Sequence, residues 1–364
     1  MDGKYSSIHY NNYLQIDKIL SSQHPRSKDF GNEAHDETLF IIIHQVYELW
    51  FKQVIHEIGG VLNLFKNNHF EEKKVSEAVR LLRRVTEIQK IFIEQIKILE
   101  TMTPLDFLDY RNYLIPASGF QSFQFRVCEI KMGLKPEQRL TYNKTVYSSV
   151  FTEEQQSQLS KYQSESSLFD VIEKWLERTP FLKYGEFDFI KEYLIAVENM
   201  TNREKEAIQA SNYISDDNKK MRMNMLEETK KYIFNTLNEE EYNKTIAEGK
   251  SRLSYKATIG ALLIHLYRDE PMFNMPYQLL NTVTEVDELF TLYRYRHMQM
   301  VLRMLGNKMG TGGSSGADYL RQTVEKHHIF QDFQKIATLL IPRSELPTLP
   351  EGLKQLLDFT YNYE

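Results

Sequence analysis

Apolar side chains recur at three- and four-residue spacing through nearly every long segment of this 364-residue chain. The pattern is clearest in FIIIHQVYELWFKQVIHEI, residues 40–58, and again across residues 75–101. Such spacing is typical of amphipathic helices that bury one face. No stretch alternates apolar and polar residues long enough to predict a sheet. We therefore expect an all-α protein built as a large helical bundle.

Capping residues predict where several helices begin and end. Asp36 is suited to be the N-cap of a helix over 36–58, which Gly59-Gly60 would end. Thr103 as N-cap and Pro104 at the first helical position predict a second start, and Pro116 predicts its end. Arg111 would then lie one turn before a break. A further helix is expected from about Phe120 to Met132, and another near 284–305.

One region differs in composition. Residues 185–250 are rich in charge and poor in large apolar side chains, but no Pro, Gly or Ser linker isolates them. We interpret them as a polar helical appendage within one domain that spans residues 1–364.

Charge and apolar content exclude several classes of function. Forty-five basic and fifty acidic residues give a net charge of −5 without a sustained basic stripe, so nucleic acid is not expected as a partner. The N-terminus lacks the apolar core of a signal peptide, and no apolar run approaches a membrane span. We expect a cytoplasmic protein without a membrane partner. The single cysteine, Cys128, forms no internal disulfide and is expected to be a structural residue.

Two histidines interrupt apolar helix faces. His44 shares a face with Phe40, Ile41, Glu48 and Phe51, and His297 shares one with Phe290, Tyr293, Val301 and Met304. Each fits a core histidine bonded to a neighbouring polar group. Together they also fit a planar metal cofactor held between two long helices, because haem iron takes an axial imidazole within an apolar slot. The residue pattern leaves both interpretations open.

Other motifs are weaker. GTGGSSG, residues 310–316, lacks the Lys-Ser or Lys-Thr of a phosphate-binding loop, which leaves a mobile ligand-contacting loop or a plain linker. Glu325 and His328 have the spacing of a di-iron bundle site, but no second pair accompanies them. Arg111 stands among aromatics in FLDYRNYL, so its guanidinium should meet either a protein carboxylate or a ligand's.

Five blocks of the chain resemble the tryptophan 2,3-dioxygenase family, in the family's order. They are HDETLFIIIHQVYELWFKQ, TPLDFLDYRNYLIPASGFQSFQFR, KWLERTP, RLSYKATIGALLIHLYRDEP and YRYRHMQMVLRMLGNKMGTGGSSG. The resemblance implies a helical homotetramer with one haem b per subunit, its iron cycling through Fe(II). It also implies addition of both atoms of dioxygen to L-tryptophan, which gives N-formyl-L-kynurenine, the first step of tryptophan degradation.

The resemblance also assigns roles by position. His297 is similar to the axial haem ligand, and His44 to the distal histidine that contacts the indole nitrogen. Arg111 resembles the arginine that receives the substrate carboxylate. The resemblance places Phe40, Phe107 and Leu114 as walls of the indole pocket, Ser118 near the haem edge and Thr311 at the amino-acid end. Tyr10 and Tyr13 resemble tyrosines donated by a neighbouring subunit. Ile41, Ile42 and Ile43, next to His44, are further expected substrate-binding residues.

Other functions stay open at this stage. An indoleamine-type dioxygenase with broader substrates is disfavoured by the N-terminal tyrosine segment and the arginine. A haem-binding sensor would show a Soret band without consuming oxygen on addition of tryptophan, and a non-enzymatic scaffold would bind no haem.

Overall fold

Helices make up most of the protein in the computed structural model, which describes residues 6–66, 73–140, 147–306, 308 and 316–358. The α-helices are α1 Tyr10–Leu14, α2 Ile16–Leu20, α3 Arg26–Asp29, α4 His35–Phe65, α5 Lys73–Leu99, α6 Pro104–Arg111, α7 Phe123–Met132, α8 Glu153–Ser164, α9 Leu168–Leu176, α10 Phe189–Ala210, α11 Asp216–Thr236, α12 Glu239–Ala247, α13 Tyr255–Leu266, α14 Pro271–Leu305, α15 Gly316–Lys326, α16 Gln331–Lys335 and α17 Glu351–Leu357. Short 3-10 helices cover Asn112–Leu114, Gly119–Gln121, Pro136–Gln138, Tyr147–Val150, Ile336–Leu339 and Arg343–Glu345.

Within the described residues, β-structure is limited to one two-stranded antiparallel sheet. Its strands, β1 Lys183–Tyr184 and β2 Phe187–Asp188, pair Lys183 with Asp188 and Tyr184 with Phe187. The expected all-α class is therefore confirmed. None of the described helices is both long and apolar enough to cross a membrane.

Three long helices, α4, α5 and α14, pack side by side and form the centre of the core. Their facing surfaces meet through aromatic rings: Phe92 of α5 lies 5.2 Å from Phe51 and 5.5 Å from Tyr293, between ring centroids. The Tyr47 hydroxyl donates to the Phe92 carbonyl at 2.7 Å. Because these rings are large and interlocked, the packing fixes how the three helices sit against one another.

The α4 helix is longer than the sequence indicated. It begins at His35 after Ala34, with Asp36 inside the first turn rather than at the cap, and it runs through Gly59-Gly60 to Phe65. A glycine pair weakens a helix by roughly 1 kcal/mol per residue relative to alanine. The apolar face nevertheless continues beyond the pair, and a Cβ on Gly60 would meet Leu81 of α5 at 3.0 Å. Gly60 therefore permits close packing of two helices, and the pair does not end α4.

The α6 start is confirmed in detail. The Thr103 side chain accepts from the Asp106 backbone N–H, and the Asp106 carboxylate accepts from the Thr103 N–H, which makes a capping box with Pro104 at the first position. The end differs from the prediction: α6 stops at Arg111, and a 3-10 turn carries the chain to Leu114 before Pro116.

Two further helix starts differ from the sequence prediction. The helix expected from Phe120 starts at Phe123, after a 3-10 turn, and is capped by Ser122. The helix expected near 284 starts at Pro271 and tolerates Pro276 near its beginning. A proline this close to a helix start removes only an early backbone bond, and Pro276 is buried.

The polar region contains α10, α11 and α12. One face of α10 is buried through Phe189, Tyr193 and Val197, whereas α11 buries only Ile233. Tyr213, between these two helices, is fully exposed. Cys128 is buried, with its Sγ 3.6 Å from the Phe51 carbonyl oxygen, as expected of a structural cysteine.

Candidate active site

His44 projects from α4 with its ring orientation fixed. Its Nδ1 lies 2.7 Å from the Phe40 carbonyl oxygen, and the Phe40 ring packs over the imidazole with 4.0 Å between centroids. A carbonyl oxygen can only accept, so Nδ1 carries the proton and Nε2 of the neutral ring is an acceptor. The side chain is accessible from one side yet surrounded by protein, and this desolvation lowers its pKa despite the opposing effects of Phe40 and Glu48. His44 is therefore a neutral acceptor at neutral pH.

His297 lies on α14 as a half-buried imidazole. Desolvation, and then the neighbouring His44, lower its pKa to about 4, so the ring is neutral at physiological pH. Tyr293, one turn earlier, lies parallel to it, with 6.1 Å between centroids and 7° between planes. None of the hydrogen bonds among the described residues involves the His297 ring. A neutral nitrogen without a protein partner is the form that binds a metal.

An aromatic wall continues from His44 towards α6. Phe40 lies 5.8 Å from both Phe107 and Tyr110, and Phe107 meets Tyr110 edge to face at 5.5 Å. Phe40 and Phe107 are partly buried, whereas Tyr110 is fully buried. The structure therefore brings two of the predicted indole-pocket residues together. Tyr110, which the sequence analysis did not single out, supports both from behind.

The neighbouring isoleucines occupy different surroundings. Ile43 is buried in the core and its carbonyl accepts from Gln95 at 3.0 Å, whereas Ile42 is 42% exposed and Ile41 is half-buried. Consecutive helical residues point about 100° apart, so one helix turn cannot direct all three towards one pocket.

Arg111 is the last residue of α6, and its side chain is half-buried. Leu114 ends the following 3-10 turn and packs against the core. Ser118 caps the next turn, with its hydroxyl accepting from the Phe120 N–H. The three predicted residues thus lie between the last residue of α6 and the beginning of α7. Thr311, together with the rest of residues 310–315 of the glycine-rich stretch, lies outside the described residues.

Tyr10 and Tyr13 lie on α1, 68% and 70% exposed. The chain that follows is tied to α4: the Gln45 side chain donates to the Ser22 carbonyl at 3.0 Å, next to His44. Farther on, the Glu37 carboxylate accepts from the backbone N–H of Ser27 at 2.8 Å. The N-terminal arm is therefore anchored near the site, while its two tyrosines face outward.

A buried charged cluster between α7 and α14 was not foreseen from the sequence. The Glu129 carboxylate on α7 accepts from Arg126, Arg139 and Arg294, at 3.0, 2.6 and 3.1 Å. Desolvation opposes ionisation, but the arginines hold the pKa of Glu129 well below its usual range. Arg294 also donates to the His327 carbonyl at 3.1 Å. This cluster ties α14 to α7 one turn before His297.

The Glu325-x-x-His328 pair does not form a metal centre. His328 Nδ1 lies 3.5 Å from the Thr291 hydroxyl. Across the described part of the chain, His, Cys, Asp and Glu side chains nowhere gather in threes as a metal site.

A helical fold with two neutral imidazoles near one another on separate long helices fits the class of haem proteins. Comparison with known sequences identifies the family: residues 1–340 match the family described as tryptophan 2,3-dioxygenase, and the chain belongs to it. The relatives include tryptophan 2,3-dioxygenases of Alteromonas mediterranea, 44% identical over 96% of this chain and 97% of the relative, and of Bdellovibrio bacteriovorus, 44% identical over 98% and 100%. The enzyme of Dictyostelium discoideum is 46% identical over 98% of this chain and 89% of its own. The resemblance found in the sequence blocks is confirmed.

Proposed function

We propose that this protein is a haem-dependent dioxygenase that converts L-tryptophan and dioxygen to N-formyl-L-kynurenine, the first step of tryptophan degradation. Family membership supports the reaction. The observation that carries the proposal in the structure is the pair of imidazoles: His297 is neutral and unpartnered among the described residues, and His44 is neutral with a free acceptor nitrogen.

The residues around His297 fit a haem. Its imidazole would hold the haem iron, since its pKa of about 4 keeps the nitrogen unprotonated over the working range of pH. Rings of Tyr47, Phe92 and Phe125 pack around Tyr293, which itself lies parallel to the His297 ring, so the surroundings of His297 are aromatic, as a porphyrin requires. When bound, one haem b per subunit, cycling through Fe(II), would activate dioxygen, which as a triplet reacts poorly with the singlet indole.

His44 would position the indole. Its Nδ1–H is already used by the Phe40 carbonyl, so Nε2 is left to accept the indole N–H. The contact with the Phe40 ring and the backbone bond restrict rotation of the imidazole, and a group held in advance in this way positions the substrate at little entropic cost. In this role His44 holds the indole proton at the nitrogen and need not remove it.

The connection from α6 to α7 would bind the rest of the substrate. Phe40, Phe107 and Leu114 would form the indole walls, whereas Ile41, Ile42 and Ile43 of the same α4 turn point in different directions and Ile43 is buried in the core. Arg111 would pair its guanidinium fork with the substrate carboxylate. Ser118 would lie near the haem edge and Thr311 at the amino-acid end.

We further propose a cytoplasmic homotetramer in which residues 1–364 act as one domain, with 185–250 as an appendage, and which uses neither nucleic acid nor membrane. Exposed apolar side chains on two of the three central helices support assembly, because a subunit contact would cover them. They are Ile91 and Ile98 on α5 and Leu292 and Tyr295 on α14, all more than 40% exposed. Tyr10 and Tyr13, anchored through Gln45 yet outward-facing, would reach a neighbouring pocket.

The test is direct. The purified protein is loaded with haem, reduced, and mixed with L-tryptophan in air, and the absorbance of N-formylkynurenine is followed together with oxygen uptake. We expect product and oxygen consumption in equal amounts. A Soret band without oxygen uptake would indicate a haem sensor, and no haem binding would indicate a scaffold, and either result would overturn the proposal.

A further inference from the structure

Glu48 lies on α4 one turn after His44, and its side chain is half-buried. The Ser122 hydroxyl donates to Glu48 Oε1 at 2.5 Å, and the Gln124 amide donates to Oε2 at 3.2 Å and to the Glu48 carbonyl at 2.8 Å. One residue of α4 therefore accepts three hydrogen bonds from the beginning of α7.

Ser122 is also the point at which the α6–α7 connection ends. Its hydroxyl accepts from the Phe125 N–H as the N-cap of α7, and its backbone N–H donates to the Gly119 carbonyl at 3.1 Å. Ser118 is the N-cap of the 3-10 turn Gly119–Gln121, which ends directly before Ser122. The bond from Ser122 to Glu48 thus ties the Ser118 end of the connection to the helix that carries His44.

The carboxylate has only neutral partners. Among the described residues no basic side chain forms an ion pair with Glu48, and its hydrogen-bond donors are a hydroxyl and an amide. Bonds to a charged acceptor are shorter and stronger than neutral ones. The charge of Glu48 also contributes to raising the pKa of Tyr293, after desolvation, and acts on His44. Glu48 therefore lies within electrostatic reach of both imidazole-bearing helices.

We propose that Glu48 is a positioning residue for tryptophan: through Ser122 it holds the Ser118 end of the substrate pocket at a fixed separation from His44. The amino-acid end of the substrate would meet the α6–α7 connection and the indole would meet α4. A fixed separation between these two elements lets both ends bind at once. This role rests on the proposed function.

A double-mutant cycle on the haem-loaded enzyme tests the role. The dissociation constant for L-tryptophan is read from the Soret band in wild type, Glu48→Ala, Ser122→Ala and the double variant. We expect each single variant to weaken binding by about tenfold, since small misplacements are costly. The double variant should also lose about tenfold and not about a hundredfold, because both changes break the same tether. Glu48→Gln, which keeps an acceptor for Ser122 without the charge, should recover most of the affinity.

The matched control is Glu177→Ala, which breaks a similar bond of 2.7 Å from the Ser254 hydroxyl to Glu177 away from this site. It should lower the melting temperature slightly and leave tryptophan binding within about twofold of wild type. If Glu48→Ala lowers only the melting temperature, as the control does, or if the two losses add, the positioning role is overturned.

Two further outcomes are informative. If Glu48→Ala does not fold, Ser122→Ala decides alone, and a tryptophan affinity within about twofold of wild type in that variant overturns the role. If wild type binds haem and tryptophan and every variant binds tryptophan equally well, the role of Glu48 is overturned and the proposed function stands. A wild-type protein that binds neither overturns the proposed function and this role with it.

Discussion

The hydrogen bond expected between His44 and the indole N–H can be isolated by changing both partners. His44→Ala removes the acceptor, and 3-(benzothiophen-3-yl)-L-alanine replaces the indole nitrogen by sulfur, which removes the donor at nearly constant shape. Since Nδ1 is occupied by the Phe40 carbonyl at 2.7 Å, Nε2 is the nitrogen available to the substrate.

The expected magnitude is that of one bond between neutral groups. Such a bond contributes about 0.5–1.5 kcal/mol, or about 2- to 13-fold in affinity. The ratio of the two dissociation constants, that of the sulfur analogue over that of tryptophan, should therefore be larger in wild type than in His44→Ala by about this factor. Any general effect of the cavity left by the alanine applies to both ligands and cancels in the ratio.

The assay is a titration of haem-loaded enzyme with each ligand, read from the Soret band. Haem content should stay near one per subunit in His44→Ala. An equal ligand preference in both proteins would show that His44 does not accept the indole proton. Complete loss of haem from His44→Ala would show that the two histidines have been assigned to the wrong sides of the ring.

Four other predictions test the remaining assignments. His297→Ala should lose haem while its helical circular dichroism persists, and unchanged haem content would refute the axial role. Deleting residues 1–15 should reduce tryptophan turnover far more than haem binding, and normal turnover would reject a pocket shared between subunits. Arg111→Lys should discriminate less between tryptophan and tryptamine than wild type does, measured as the ratio of their kcat/KM values, because lysine keeps the charge without the fork; an equal ratio would assign Arg111 to an internal salt bridge. Because burial lowers the pKa of His44, tryptophan affinity should stay level as pH falls to 6.5 and decline only below it, as protonation converts Nε2 from acceptor to donor; the same decline in His44→Ala would assign it to another group.

Periodicity was sufficient to predict the fold class, since buried helix faces repeat every three to four residues whatever their partner is. The ends of helices were less predictable where tertiary contacts decide them. Gly59-Gly60 has the composition of a helix end, yet the approach of Leu81 to Gly60 makes it a packing site. Pro271 likewise begins α14 well before the region in which the apolar pattern was recognised.

Some residues of the candidate site could likewise be predicted from the sequence, and others could not. His44 and His297 stood out because a histidine on an apolar face requires a partner, and this can be read from one helix alone. Glu48 and Glu129 did not stand out, because a glutamate on a helix is usually solvated. Their roles depend on Ser122 and on Arg294, which are distant in sequence and meet them only in the folded chain.

The core and the candidate site share neighbouring side chains of the same helices. On α4, Tyr47 and Phe51 pack against Phe92 of α5, while His44 and Glu48 face the candidate pocket. On α14, Tyr293 packs against Phe92 and also lies parallel to His297. Because protein interiors are close-packed, the spacing of the two imidazoles is set by the volume of these shared rings. We therefore expect a substitution that shrinks Phe92 to change the separation of His44 and His297 without touching either histidine.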